Sequence, residues 1–446
     1  MIKQYDKYRE TGDDWIVHIP NEWELADLKW LSNIYAGGTP STDIGEYWEG
    51  GTVPWLNSGA VNQKRIKTAS DFITEKALQN SSAKWVPKGA LVMALAGQGK
   101  TKGTVALLEI DATCNQSMAA IVPDEKKVKS DYLFYWLDCN YERIRGLAGD
   151  EQRDGLNLEI IGSICTPMPS SFEQTQIARF LDYQAALIDT IIAKKQKLIE
   201  LLEEYRKSVI NEAVTKGLNP QAPMKDSGVE WLGEVPEHWS VRQMKYIAEL
   251  NPSKSEIPGG CGPDTIVSFL PMEKVGEDWS FDLTSTARLG DVSNGLTYFR
   301  NGDIIIAKIT PCFENGKGAL LANLVNSIGF GSTEFHTIRP GNVNARFLFY
   351  VTRSDYFMAN GESFMTGSAG QKRVPTSFVN EFFVPLPMEV EQEEIATYLD
   401  EYINRSNFLV QQIKIQIEKL KEYRQSLISE TVTGKIDVRD WEPPAQ

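Results

Sequence analysis

Three kinds of residue in this chain could carry chemistry by type and spacing, and none completes a reactive set. GQGKT at 97–101 has the ending of a phosphate-binding loop. That chemistry needs a glycine where Ala94 stands and a helix directly afterwards, so that helical N–H groups face the phosphates. TVALL follows instead and reads as a strand, and the corresponding stretch around Lys317 lacks the pattern, which sets nucleotide binding aside. The histidines His18, His238 and His336 are far apart and at non-equivalent places, which suits structural roles. NPSK at 251–254 is not the Asn/Asp-Pro-Pro-aromatic motif of amino-group methylation, and no glycine-rich cofactor loop accompanies it. Cys114, Cys139, Cys165, Cys261 and Cys312 form no CxxC pair, so they read as reduced thiols with neither a disulfide framework nor a zinc site. No catalytic residue and no metal ligand is assigned.

Recognition remains. Polar, glycine-bearing loops supply side chains suited to a DNA duplex: Lys and Arg for phosphates and guanine, Gln and Asn for adenine. One group is Gln98, Lys100, Lys102, Gln152 and Arg153; the other is Lys308, Asn315, Lys317, Gln371, Lys372 and Arg373. Any one of them is equally well read as a solvated surface group. Their occurrence at matching points of a duplicated sequence favours a shared task.

The duplication governs the elements that must position them. Residues 173–216 align without a gap onto 391–434, so that Glu173, Gln174, Ile177, Leu181 and Asp182 recur as Glu391, Gln392, Ile395, Leu399 and Asp400. Upstream, W-x4-P-x2-W recurs as Trp15, Pro20, Trp23 and Trp231, Pro236, Trp239. GALVMALAGQGKTKGTVALL (89–108) and GDIIIAKITPCFENGKGALL (302–321) both read as strand, exposed loop, strand. YLFYWL (132–137) and FLFYVT (347–352) read as short buried helices. The predicted division is a globular domain over 1–169, a helix over 170–217, a second domain over 218–387, a second helix over 388–435 and a tail over 436–446.

In the helices, Leu181, Ile188, Leu202 and Val209, and Leu399, Ile413, Leu420 and Leu427, fall at heptad spacing, interrupted by Lys195 and Ser406. Ile191, Leu198 and Tyr205, with Leu409 and Tyr423, form the companion series. Short connections favour antiparallel pairing. At about 1.5 Å per residue such a helix spans roughly 66 Å, long enough to hold two globules at a set separation. The expected fold class is α+β: two duplicated α/β domains separated by two long antiparallel coiled-coil helices, pseudo-twofold.

A net charge of −14 argues against a simple DNA-coating protein, but not against local basic loops or shared contacts with partner subunits. No apolar stretch is long enough for a transmembrane helix, and the opening MIKQYDKYRETGDDW lacks the apolar core of a signal peptide. A cytoplasmic protein is expected, without membrane contact. Two alternatives stand beside DNA recognition. One is a scaffold whose globules bind protein; the other, an enzyme in its own right, lacks visible machinery.

The layout resembles the specificity subunits of type I restriction-modification enzymes. The likeness lies in GVEWLGEVPEHW and its weaker counterpart GDDWIVHIPNEW, in AGGTPS with YWEGGTVPWLNSG, and in IAKITPCFENGKGALL with IGFGSTEFHTIRP. Each copy then closes with PMP or PLP, a long helix and EYRxS. The resemblance implies that each globule is a target-recognition domain reading half of a bipartite, asymmetric DNA target. It implies that the helices set the spacer and dock two adenine-methyltransferase subunits, with Leu181, Ile188, Leu202, Tyr205, Leu399, Ile413, Leu420 and Tyr423 on the seam or docking face. It places S-adenosylmethionine in those partners, leaves this chain without a cofactor, and allows restriction and translocation subunits besides. Copy one has GQGKTKG where copy two has FENGKG, so the two half-sites should differ.

Overall fold

The computed structural model describes residues 3–97, 101–147, 155–368 and 370–444. It divides into two compact units, 1–195 with 415–446, and 196–414, so each unit takes part of both long helices.

In the first unit, runs of consecutive apolar residues form strands buried on both faces. Leu91–Ala94 and Val105–Leu108 are buried throughout and pair antiparallel, Val92 opposite Ala106. They lie in a five-stranded sheet with Ser32–Ala36, Met118–Pro123 and Arg65–Ile66. A smaller sheet joins Thr113–Cys114, Val53–Leu56 and Asp71–Ile73. The helix Ser130–Cys139 buries Tyr132 to Leu137 in one run.

The second unit repeats the scheme. Ile304–Ala307 is fully buried and pairs antiparallel with Gly318–Leu320 on one side and Phe335–Pro340 on the other. Ile266–Leu270 and Ile328–Gly331 run parallel within a second four-stranded sheet. The helix Ala345–Val351 is capped by Asn344, whose side chain accepts from the Arg346 and Phe347 N–H groups.

The long helices are Ser171–Lys216 and Glu389–Val432. Within the first unit, Lys195 Nζ donates to Gln416 Oε1 at 2.6 Å and Arg424 pairs with Asp189 at 3.2 Å. Within the second, Arg206 donates to Asn407 Oδ1 at 3.2 Å and the Tyr205 and Tyr402 rings lie 6.1 Å apart. In the first unit one index falls as the other rises, so the helices run antiparallel there. They are also structural parts of the globules. Leu181, Ile188, Leu427, Ile428 and Val432 share one core with Trp23, Tyr132 and Trp136. Ile210, Val214, Ile395, Leu399 and Ile403 share another with Trp239, Phe347 and Leu348.

The companion heptad series sits one residue later than the sequence suggested. Beside Leu181, Ile188 and Val209, the inward positions are Ala185, Ile199 and Ala213; beside Leu399 and Leu427 they are Ile403, Ile417 and Thr431. Leu198, Tyr205, Leu409 and Tyr423 are exposed instead, while Leu202, Ile413 and Leu420 are half-buried. A heptad alternates steps of three and four, and both choices meet apolar residues here, so spacing alone does not fix the phase.

Each helix ends on a glycine in left-handed conformation, Gly217 at φ +74° and a little past the second helix Gly434 at φ +73°. The two glycines touch the equivalent tryptophans of the W-x4-P-x2-W segments. A Cβ would come to 3.2 Å from Trp239 at Gly217, and to 2.5 Å from Pro20 and 3.1 Å from Trp23 at Gly434. The motif is therefore the seat on which each helix terminus rests.

Candidate nucleic-acid interface

In the second unit, backbone hydrogen bonds join the two loops singled out in the sequence. Lys308 follows the buried strand Ile304–Ala307; its N–H donates to Glu334 O at 2.9 Å, and its carbonyl accepts from Val374 N at 2.8 Å. Thr310 N donates to Lys372 O at 3.0 Å, Lys372 N donates to Thr310 Oγ1 at 3.1 Å, and Ile309 bridges Arg373. Lys308, Lys372 and Arg373 are thereby brought to one place, with Gln371 exposed beside them. Asn315 and Lys317 lie on the turn that follows, where Lys317 N donates to Cys312 O at 3.0 Å.

Two acidic residues that the sequence reading passed over engage these groups. Glu334 accepts from Arg373 Nε at 2.9 Å and Nη2 at 2.8 Å, a bidentate pair. The Arg373 hydrogen bond holds the Glu334 carboxyl below the usual carboxylate range. Asn315 Nδ2 donates to Glu277 Oε1 at 2.7 Å. The available signal was GSTEFHTIRP itself: Glu334 stands immediately before the strand Phe335–Pro340, at the end that meets Lys308. On that strand His336 is buried and its Nε2 lies 2.9 Å from Val374 O, one residue from Arg373. Burial lowers its pKa from the ordinary 6.5.

The first unit has a comparable join, with Leu156 N donating to Leu95 O at 2.9 Å beyond the strand Leu91–Ala94. Gln98, Lys100, Gln152 and Arg153 lie outside the described residues. Lys102 is described and is buried at 9 % exposure rather than standing on an exposed tip. The tight return between the strands draws it in: Gly103 N bonds Ala94 O at 2.9 Å and Ala94 N bonds Thr104 O at 3.0 Å.

Among the described residues no group of His, Cys, Asp and Glu could hold a metal ion. The five cysteines are free. His238 Nε2 lies 2.8 Å from Glu391 Oε2 at the start of the second long helix, and His18 is exposed. Beyond GQGKT the described chain runs into the strand Val105–Leu108 rather than a helix. Among the described residues no helix is long and apolar enough to cross a membrane.

Two like α+β units, each fastening a pair of loops beside a buried strand and each sharing its core with two long helices, define a tandem recognition protein. The family described as type I restriction modification DNA specificity domain matches residues 20–203 and again 237–419, and the chain belongs to that family. The EcoAI specificity subunit of Escherichia coli is 36% identical over 235 residues, covering 51% of this chain and 39% of that one. The EcoEI specificity subunit of Escherichia coli is 34% identical over 217 residues, 48% and 35% of the two chains. The chain thus spans well under half the length of these two relatives. The MjaVIII specificity subunit of Methanocaldococcus jannaschii is 25% identical over 458 residues and 99% of both chains. Among solved structures, a chain from work on complex assembly and conformational transition of the type I R-M system matches with TM-score 0.67 at 14% identity, over 94% of this chain and 99% of that one. The HsdS subunit from Thermoanaerobacter tengcongensis matches with TM-score 0.54 at 14% identity, over 94% and 98%. These last two likenesses concern the fold.

Proposed function

We propose that this chain is the non-catalytic DNA-specificity subunit of a type I restriction-modification complex. Each domain reads one half of a bipartite, asymmetric target, and the two long helices set the gap and dock two adenine-methyltransferase subunits. S-adenosylmethionine and the methyl-transfer machinery belong to those partners, and restriction and translocation subunits join where present. The complex works on chromosomal and incoming DNA in a prokaryotic cytoplasm. The observation that carries this reading is the stitched loop pair of the second unit, which gathers Lys308, Lys372 and Arg373 beside one strand end.

The contact set includes Gln98, Lys100, Gln152 and Arg153 in the first domain, while Lys102, drawn into the return between the strands, is left out of it. In the second it includes Lys308, Asn315, Lys317, Gln371, Lys372 and Arg373. Partner subunits that clamp the same DNA offset the chain's net charge of −14. The experiment is co-expression with the host's methyltransferase subunit and mapping of methylated adenines by single-molecule sequencing. A bipartite motif with a fixed gap, absent without this chain, is expected. Methylation that persists unchanged without it would overturn the reading.

The acidic balance favours one other reading, a scaffold whose domains bind protein. A DNA affinity of the assembled complex that falls steeply with salt would exclude it.

A further inference from the structure

Beneath the turn that carries Asn315 and Lys317 lies an arginine with no counter-charge. Arg353 follows Thr352, the C-cap of the Ala345–Val351 helix, and is 6 % exposed. Its Nη1 donates to Gly316 O at 2.6 Å and its Nε to Thr352 Oγ1 at 3.2 Å, while the guanidinium lies 5.6 Å from the Phe349 ring centre. Nη2 is buried without a hydrogen-bond partner, and among the described residues no carboxylate pairs with the group. Burial alone pushes its pKa down to about 9, so it remains charged at neutral pH. Space is kept for it: a Cβ on Gly318 would come to 3.0 and 3.2 Å from its two Nη atoms and 2.5 Å from Ile305 O.

A buried charge without a counter-ion costs several kcal/mol of desolvation, and a hydrophobic side chain of similar volume is ordinarily the more stable choice. Clamping one carbonyl does not require a cation. In the first copy the corresponding position, by the alignment of 132–137 with 347–352, is Asp138, which takes an ion pair from Lys64. The aligned position therefore carries charge of opposite sign in the two copies.

We propose that Arg353 is a positioning residue for phosphate contact by the 311–317 turn, clamping the turn at Gly316 and setting an unneutralised positive charge beneath Asn315 and Lys317. The inference rests on the reading that this turn faces DNA. A phosphate oxygen placed at the turn meets that charge through low-dielectric protein, where solvent screens it little.

The test compares Arg353→Met and Arg353→Lys with the unchanged full chain assembled with its methyltransferase subunits. Thermal unfolding and duplex affinity at fixed salt are both measured. The Met variant is expected to unfold at or above the temperature of the unchanged chain, because the desolvation cost is gone. Its affinity should fall on the order of ten-fold, the scale on which one charge acts on another at roughly 10 Å in protein. The Lys variant, keeping the charge without the clamp, should fall between. A Met variant that binds DNA normally overturns the proposal, as does one that loses binding together with stability, since that is a merely structural role. An unchanged complex that fails to bind DNA would instead sink the functional reading on which the proposal rests.

Discussion

Arg373 is held, not free: Glu334 grips its guanidinium through two hydrogen bonds. To meet a base edge the arginine must exchange one acceptor pair for another, and the fork geometry suits both a carboxylate and guanine. Because Arg373 keeps the Glu334 carboxyl below its usual range, the pair stays closed throughout neutral pH. Replacing Arg373 with Ala should weaken binding to the cognate duplex by about 1–3 kcal/mol and relax one position of a single half-site. Glu334→Gln should act oppositely, raising affinity for scrambled duplexes and so lowering discrimination. Competition binding of cognate and scrambled DNA checks both. His336 gives a pH signature on the same strand. Burial, with Lys308 nearby, disfavours its charged form, while Val374 O and Glu334 oppose that more weakly. Its folded pKa is below the unfolded value, so the stability it contributes is complete above about pH 6.5 and is lost as pH falls through the folded value. Unfolding temperatures should therefore decline as pH falls below about 6.5, and His336→Gln should flatten that decline. Only part of this was legible in the sequence. It names Arg373 and Asn315, whereas the pairing of Glu334 with Arg373, that of Glu277 with Asn315 and the bond from Arg353 to the Gly316 carbonyl are set by the fold.

At the scale of elements, far more was legible, for a physical reason. Four successive apolar residues bounded by glycine, as in LVMA after Gly89 and IIIA after Gly302, can only be satisfied by a strand covered on both faces, and both became one. At their C-terminal ends the long helices stop on the left-handed glycines Gly217 and Gly434. The seam phase was not legible, because several inward positions are polar and are satisfied by partners remote in sequence. Arg206 lies inward by stacking over Trp279 at 4.3 Å, and Lys195 by bonding Gln416. Two faces of the helices consequently separate, and they should respond differently. Ile188 is buried at 4 % exposure in the first core, and Ile188→Ala should cost about 2–5 kcal/mol of stability by leaving a cavity. Tyr205 is 60 % exposed, so Tyr205→Ala should change stability by no more than about 0.5 kcal/mol. If the exposed tyrosine face docks the modification subunits, that same variant should impair assembly, as read by sedimentation of the reconstituted complex. A Tyr205 variant that assembles normally would remove this face from the docking surface.

For the molecule as a whole, the decisive feature is that a recognition domain is not one continuous stretch. The first unit is completed by 415–446: Asp437 N donates to Lys3 O at 2.8 Å, Tyr8 Oη donates to Gly434 O at 3.0 Å, and Trp441 packs on Phe180 with ring centres 5.3 Å apart. Ile436 and Val438 are buried there. A transplanted domain must therefore present the same framework to the second long helix and to the tail. Replacement of residues 1–169 by the corresponding domain of another family member, with Lys3, Tyr5, Tyr8 and Tyr132 retained, should preserve that framework. The methylated motif is then expected to change in one half only, with the other half and the gap unaltered, because the second unit keeps its own loops and core. Loss of all methylation together with a lowered unfolding temperature would mean that the framework was broken. A folded hybrid that alters both halves would show that the two units do not read independently.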